Sequence, residues 1–112
     1  MSTTFKSALS VCGLSQQQAA DFLEVGLGTI KDWNSGRANP PRGVWVMLAS
    51  LFEQIQDAAD GAADVMSLDG IDPRAFNNLE ADIRHDALPT EGALGAAGAM
   101  ALLMAIADQM EA

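Results

Sequence analysis

The sequence predicts an all-α protein, and three observations lead to this fold class. Apolar residues recur at intervals of three and four along several segments, which is the spacing of one face of an α-helix. Glycine, proline and short polar caps separate these segments where helices are expected to begin and end. No segment shows the apolar–polar alternation of a half-buried strand. We therefore expect helices packed on helices along the 112 residues.

The first predicted helix begins at a threonine cap, either Thr3 or Thr4, because a threonine hydroxyl can accept from a free amide of the first turn. Phe5 and Leu9 lie one turn apart and mark its buried face. Gly13 is expected to end the helix, since glycine tolerates the left-handed conformation at a helix C-terminus.

Two short helices joined by a tight turn are predicted over residues 14–36. Ser15 and Gln18, three residues apart, form a capping box at the first of these helices. The sequence Glu24-Val25-Gly26 then breaks the helix. The second helix runs from Leu27 to Ser35, and the glycine that follows supplies its left-handed C-cap.

This unit resembles the helix-turn-helix of DNA-binding regulators of the Cro / lambda-repressor (Xre-like) type. The residues that carry the resemblance, in one register without a gap, are Leu14, Ser15, Gln16, Ala20, Leu23, Val25, Thr29, Ile30, Trp33 and Gly36. It extends over roughly residues 5–55. The resemblance implies a lambda-repressor-like, five-helix-type head over residues 1–56 and a sequence-specific transcriptional regulator of bacterial or phage origin.

By this resemblance the second helix of the unit, about residues 27–35, enters the major groove of double-stranded DNA. Lys31 would then bond guanine, Leu27 would contact a thymine methyl group, and Asp32 would accept from a cytosine amino group. Gln16 would hold a phosphate at the start of the preceding helix. The complete set of implied DNA-binding residues is Gln16, Gly26, Leu27, Gly28, Lys31, Asp32, Arg37 and Arg42.

Three features depart from the family pattern. The family usually has Gln, Arg or Ser where this chain has Leu27 and Gly28, and Gly28 has no side chain that reads a base. Asp32 would face a negatively charged groove. The alternative is therefore a retained fold that serves protein contacts, for example the antitoxin of a toxin–antitoxin pair with a basic protein partner.

Beyond this unit, Arg42 to about Asp60 forms a predicted fourth helix that is apolar over more than half its circumference. A fifth helix, capped by Asp72, is expected to reach Leu88. Thr90 caps a final helix that extends to about Gln109.

The final helix contains the longest uncharged run of the chain, residues 92–107. We expect a buried helix of a soluble protein, because this run is shorter than a membrane span requires. Gly92, Gly95 and Gly98 lie inside it, and each costs roughly 1 kcal/mol relative to alanine in a helix interior. Glycine at these positions is explained if another backbone comes very close.

The charge of the chain is unevenly distributed. The formal net charge is −9, yet residues 1–56 carry four basic and four acidic side chains, so the whole excess lies in residues 57–112. We therefore divide the chain into a DNA-binding domain, 1–56, and an acidic helical region, 57–112. Four basic residues give few phosphate contacts, so we expect a homodimer. Its interface is predicted to join the last helix to the outer face of the fourth.

No catalytic constellation, metal site or cofactor motif is found, and we expect no enzyme activity. Cys12 lies on an apolar helix face and is interpreted as a small buried hydrophobe. The single histidine, His85, is interpreted as a surface residue. One cysteine without a secretory signal indicates a reducing compartment, so a cytoplasmic location is expected.

Overall fold

The computed structural model describes residues 3–66, 73–78 and 88–111. Within these ranges the chain forms helices and no β-strand, which confirms the all-α class. The elements are α1 (Thr4–Val11), α2 (Gln16–Leu23), α3 (Leu27–Ser35), α4 (Arg42–Val65), a 3₁₀ helix (Pro73–Asn78) and α5 (Glu91–Glu111).

The predicted helix caps are confirmed by hydrogen bonds. The Thr3 hydroxyl accepts from an amide of the first turn of α1 at 3.2 Å. Ser15 and Gln18 form the complete capping box of α2, with bonds of 3.1 and 3.0 Å. Thr90 Oγ1 accepts from the amide of Ala93 at 3.0 Å. Local sequence therefore fixes where these helices begin, because each cap satisfies an amide that has no intrahelical partner.

Helix α4 is longer than the sequence predicts, because it continues through Asp60 and Gly61 to Val65. Ala58 and Ala59 on its inner face are buried, and this packing outweighs the roughly 1 kcal/mol that Gly61 costs in a helix interior. The boundary predicted at residues 56/57 falls inside this helix.

The predicted fifth helix is described only in part. Pro73–Asn78 forms a 3₁₀ helix in which Phe76 is half-buried. Asp72, His85 and the rest of the predicted helix up to residue 87 lie outside the described residues.

One hydrophobic core joins the first four helices to the start of α5. A five-helix-type head was predicted over residues 1–56. Residues 3–56 contain three complete helices and the beginning of α4, so the fifth α-helix of the described chain is α5, which lies outside that range. The core comprises Phe5, Leu9, Cys12, Leu14, Ala19, Ala20, Leu23, Ile30, Trp33, Val44, Leu48, Leu51, Ile55, Ala58, Leu88, Ala93 and Ala97. Both predicted halves thus contribute to a shared interior.

Helix α5 packs along α4 of the same chain. Its buried face is an alanine at every fourth position: Ala93, Ala97, Ala101 and Ala105. Small side chains allow the two helices to lie close together. The facing surfaces of α4 and α5 are thus in contact within one chain, and the predicted dimer interface stays a prediction for the other faces of these helices.

The start of α5 lies against the turn that follows α1. A Cβ atom placed on Gly92 would overlap the carbonyl group of Gly13, and one placed on Gly13, where φ is +68°, would overlap the carbonyl of Gly92. The close backbone contact predicted for the α5 glycines is thus confirmed at Gly92. At Gly95 it is absent, since nothing lies within 4 Å of an added Cβ.

The outward side of α5 remains apolar and exposed, contrary to the expectation of a buried helix. Over Glu91–Met110 the mean hydropathy is 1.5 and 22% of the window is buried. By length and composition alone, α5 is the one helix of the described residues that qualifies as a membrane span. This is weak support for membrane insertion, because core helices of soluble proteins meet the same criterion.

Candidate nucleic-acid interface

The turn between α2 and α3 is closed by a left-handed residue. Glu24 has φ 57° and ψ 45°, and it is the one non-glycine residue with positive φ in the described part of the chain. The next amide, that of Val25, donates to the carbonyl of Ala20 at 3.0 Å and terminates α2. Gly26 then serves as the N-cap of α3. The tight turn predicted between these two short helices therefore spans three residues.

Helix α3 is held in place through aromatic packing on its inner side. Ile30 is fully buried and Trp33 is 8% exposed. The ring of Phe5, from α1, lies edge-to-face between two tryptophans, with centroid distances of 5.5 Å to Trp33 and 5.9 Å to Trp45 of α4. Edge-to-face pairs at this distance contribute about 0.5–1.5 kcal/mol each beyond burial. The ring of Phe5 therefore connects α1 to both α3 and α4.

The C-terminal end of α3 is anchored by polar contacts. The Thr3 hydroxyl donates to the carbonyl of Asn34 at 2.9 Å, so the cap of α1 also binds α3. Gly36 adopts φ 82°, and the amide of Arg37 donates to the carbonyl of Asp32 at 3.0 Å. The Oδ1 atom of Asn34 is buried and has no hydrogen-bond partner in the structure. The C-terminal end of α3 is thus held to the cap of α1 by the Thr3–Asn34 hydrogen bond.

The outward side of α3 carries most of the residues predicted to meet bases. Gly28 and Lys31 are exposed, Leu27 and Asp32 are half-exposed, and Gly26 lies at the exposed N-cap. Nothing lies within 4 Å of a Cβ added to Gly26 or Gly28. The N-terminal turn of α3 is therefore an open surface without side chains at Gly26 and Gly28, and Lys31 is exposed in the turn that follows.

Arg37 forms an ion pair with Asp32 on this surface. Its Nη1 atom lies 3.5 Å from Oδ1 of Asp32, in an ion pair whose side chains are 79% and 44% exposed. An exposed pair of this kind contributes little to stability. It nevertheless places a cation beside the carboxylate that otherwise weakens the attraction of α3 for an anion.

The remaining predicted residues lie at two helix starts. Gln16 is the first residue of α2 and Arg42 the first residue of α4, and both are exposed. Helix N-termini present amide groups and the positive end of the helix dipole to an anion. The described structure thus leaves all eight predicted residues at least partly accessible.

Two exposed polar residues of α3 are missing from the predicted set. Thr29 is exposed one turn after Gly26, and Ser35 is exposed two turns after Gly28. The Ser35 hydroxyl donates to the Asp32 carbonyl at 3.1 Å, so it also belongs to the C-terminal cap. Ser35 could have been predicted from its spacing of seven residues from Gly28, which places both on one face of the helix.

The buried thiol of Cys12 belongs to the core and not to this surface. Its Sγ atom lies 3.8 Å from the carbonyl oxygen of Leu48, and burial raises the pKa of the thiol above its ordinary value. A protonated thiol is a weak nucleophile. Within the described residues, no group of three or more His, Cys, Asp or Glu side chains is arranged to hold a metal ion.

Comparison with known proteins adds no relative. No protein-family model, no curated protein and no solved structure matches this chain.

Proposed function

We propose that the chain is a helix-turn-helix protein of the Cro / lambda-repressor type that binds double-stranded DNA and regulates transcription. The observation that carries the proposal is the form of α2 and α3. Helix α2 begins with a capping box, a three-residue turn joins it to α3, and Ile30 of α3 is buried. The opposite face of α3 is accessible over its N-terminal turns. In this class of protein that face contacts base edges in the major groove.

The chemistry of this face favours a short list of contacts. Lys31 offers a cation with three donors, which suits the O6 and N7 acceptors of guanine. Gly26 and Gly28 let the backbone of α3 approach DNA closely, since neither position has a side chain that would intervene. In this proposal Arg42 and the amides at the start of α2 bind phosphate.

Affinity in this proposal requires two copies of the chain. Lys31, Arg37 and Arg42 are the basic residues assigned to DNA, and Arg37 is already paired with Asp32. Two phosphate contacts, by Arg37 and Arg42, would give a salt slope of about −2 for a monomer and about −4 for a dimer, from roughly −0.9 per contact. A dimer would also read two half-sites about one helical turn apart.

The first test is selection of bound fragments from the source genome, followed by fluorescence-anisotropy titration of the enriched site at two salt concentrations. Replacing Lys31 by alanine should weaken binding by about 1–3 kcal/mol, roughly 5- to 150-fold, and relax base preference at one position. Lys6→Ala is the matched control, because it removes the same charge from the exposed side of α1. Equal affinity of the two variants would contradict the assignment of α3.

A second function is favoured by one observation on α4. Four exposed acids, Glu53, Asp57, Asp60 and Asp64, follow one another at helical spacing along this helix. This stripe complements a basic protein, as in the antitoxin of a toxin–antitoxin pair, and such a role is compatible with DNA binding. Capture of a basic protein that is lost in high salt, and lost with Asp57→Asn plus Asp60→Asn, would support this alternative.

A further inference from the structure

The outward side of α4 carries a straight stripe of exposed residues. Val46 and Asp64 are eighteen residues apart, which is five complete helical turns, so they lie on one line along the helix. The buried residues of α4, among them Leu48, Leu51 and Ile55, lie on the opposite side. The α4 outer face consists of the exposed residues within about 40° of this line at roughly 100° per residue, which are Val46, Ser50, Glu53, Asp57, Asp60 and Asp64.

The α4 outer face is divided into an uncharged part and an acidic part. Val46 is 54% exposed, and no acid occurs in α4 before Glu53. From Glu53 onward every residue on the face is an acid. Among the described residues the ion pair is that of Arg37 with Asp32, so these four acids have no cationic partner there.

This arrangement of acids lowers the stability of the free chain. Glu53 and Asp57 are like charges four residues apart, and so are Asp60 and Asp64, and such neighbours repel each other on a helix. Asp64 also lies in the last turn of α4, which contains no basic residue. The negative end of the helix dipole disfavours an acid in that turn. A cationic partner on the α4 outer face would remove both costs.

Charge and spacing favour one kind of occupant. The same face of a second copy would bring the same four acids, and α5 contains no lysine or arginine. Nucleic acid and an anionic membrane would bring phosphates, which these acids repel. Within the described residues no group of three or more acids is arranged to hold a metal ion. A basic helix fits, because its side chains recur with the same pitch of about 5.4 Å.

We propose that the α4 outer face docks a basic amphipathic helix of a partner protein, with an apolar side chain on Val46 and Lys or Arg side chains along the acids. This inference rests on the second function proposed above, and it names the element through which a basic partner binds. The face is about 27 Å long at 1.5 Å per residue, so it matches a partner helix of about 18 residues. Exposed ion pairs contribute little each, and the contact at Val46 therefore fixes the register of the two helices.

The test is a fluorescence-anisotropy titration of a labelled synthetic peptide with the full chain, without DNA. The peptide is a helix that carries two leucines at one end and four lysines on the same face, at spacings of three and four residues. A scrambled peptide of the same composition distributes these side chains around the helix. We expect the amphipathic peptide to bind at least about tenfold more tightly, with an affinity that falls as salt is raised.

The acidic part of the face is tested by charge neutralisation. Asp57→Asn plus Asp60→Asn should raise the dissociation constant of the amphipathic peptide by about threefold to thirtyfold, because two ion pairs are lost. Asp21→Asn plus Asp108→Asn is the matched control, since it removes the same charge from exposed positions on α2 and α5. This control should change the constant by less than about twofold.

The apolar end of the face has its own pair of variants. Val46→Ser should raise the dissociation constant by about threefold to tenfold, because the exposed half of this valine no longer contributes apolar burial. Val11→Ser is the matched control, since Val11 is 51% exposed on α1 and lies outside the α4 outer face. Equal binding of the two peptides, or effects no larger than those of the two controls, would overturn the proposal.

The outcomes distinguish this inference from the functions proposed above. If a basic protein is captured through Asp57 and Asp60 while the amphipathic peptide does not bind, the partner role stands and docking through a helix is wrong. Lys31→Ala should bind the peptide as tightly as the parent, because α3 takes no part, so failure of the DNA proposal leaves this inference intact. Loss of peptide binding in Lys31→Ala would overturn the assignment to α4.

Discussion

Replacing Gly92 by alanine should destabilise the protein, although alanine is the better helix former. The reason is the backbone contact between α5 and the turn after α1, where a Cβ on Gly92 would overlap the carbonyl group of Gly13. Because the overlapping atoms belong to backbone and not to a flexible side chain, the strain is relieved only if α5 moves away from the head.

The size of the effect follows from two opposing terms. Glycine to alanine in a helix gains up to about 1 kcal/mol of propensity. Overpacking against a rigid neighbour costs typically about 1–3 kcal/mol, and a shift of α5 also exposes part of Ala93 and Ala97, at about 0.8 kcal/mol for each buried carbon unit. We expect a net loss of about 1–3 kcal/mol in the free energy of unfolding.

Urea denaturation followed by tryptophan fluorescence measures this loss, since Trp33 and Trp45 both lie in the helical head. Gly61→Ala is the control: its added Cβ meets nothing within 4 Å, so it should gain about 0.5–1 kcal/mol. Equal stabilisation by both substitutions would refute the close approach. A reduced m value for Gly92→Ala would show that α5 detaches before the head unfolds.

Three further predictions concern single residues. Glu24→Gly should raise the free energy of unfolding by about 0.5–1 kcal/mol, because glycine adopts the left-handed conformation of this residue without strain; Glu24→Ala should give no such gain in the same urea titration. Asp32→Asn should strengthen DNA binding by about threefold to tenfold in anisotropy, because it removes a negative charge and releases Arg37 for phosphate; unchanged affinity would contradict a role of this pair at the interface. Burial raises the pKa of the Cys12 thiol, so the unfolded chain loses its proton first and stability should fall above about pH 9; the fall should be smaller in Cys12→Ala, and an identical pH profile would refute it.

Helix ends were predictable from sequence because each depends on a few neighbouring atoms. Ser15 and Gln18 satisfy each other's amides locally, and a glycine such as Gly36 ends a helix through its own backbone freedom. The inward faces were predictable for a similar reason, since the spacing of Ile30 and Trp33 fixes which side of α3 is apolar. Local rules therefore suffice for α1 to α3.

Partners of a helix face were not predictable in the same way. Periodicity shows that α4 and α5 each carry more apolar surface than one neighbour covers, but it does not say whether the second neighbour belongs to the same chain. The structure shows that the alanine face of α5 packs on α4 and that α4 extends to Val65, and neither follows from local rules. The left-handed conformation of Glu24 was not predictable either, because the residue is not a glycine, the type that would indicate a positive φ.

The proposed DNA binding by the first half is compatible with the acidity of the second half at physiological salt. Asp57 lies fifteen residues beyond Arg42 on the continuous helix α4, which corresponds to about 22 Å along its axis. That separation exceeds the screening length of about 8 Å at physiological salt, whereas it is shorter than the length of about 30 Å at 0.01 M. The α4 acids from Asp57 onward would therefore repel nucleic acid near Arg42 mainly in dilute buffer. In the proposed complex at physiological salt, Lys31, Arg42 and the Asp32–Arg37 pair would govern the interaction with DNA, so a binding measurement should vary these residues.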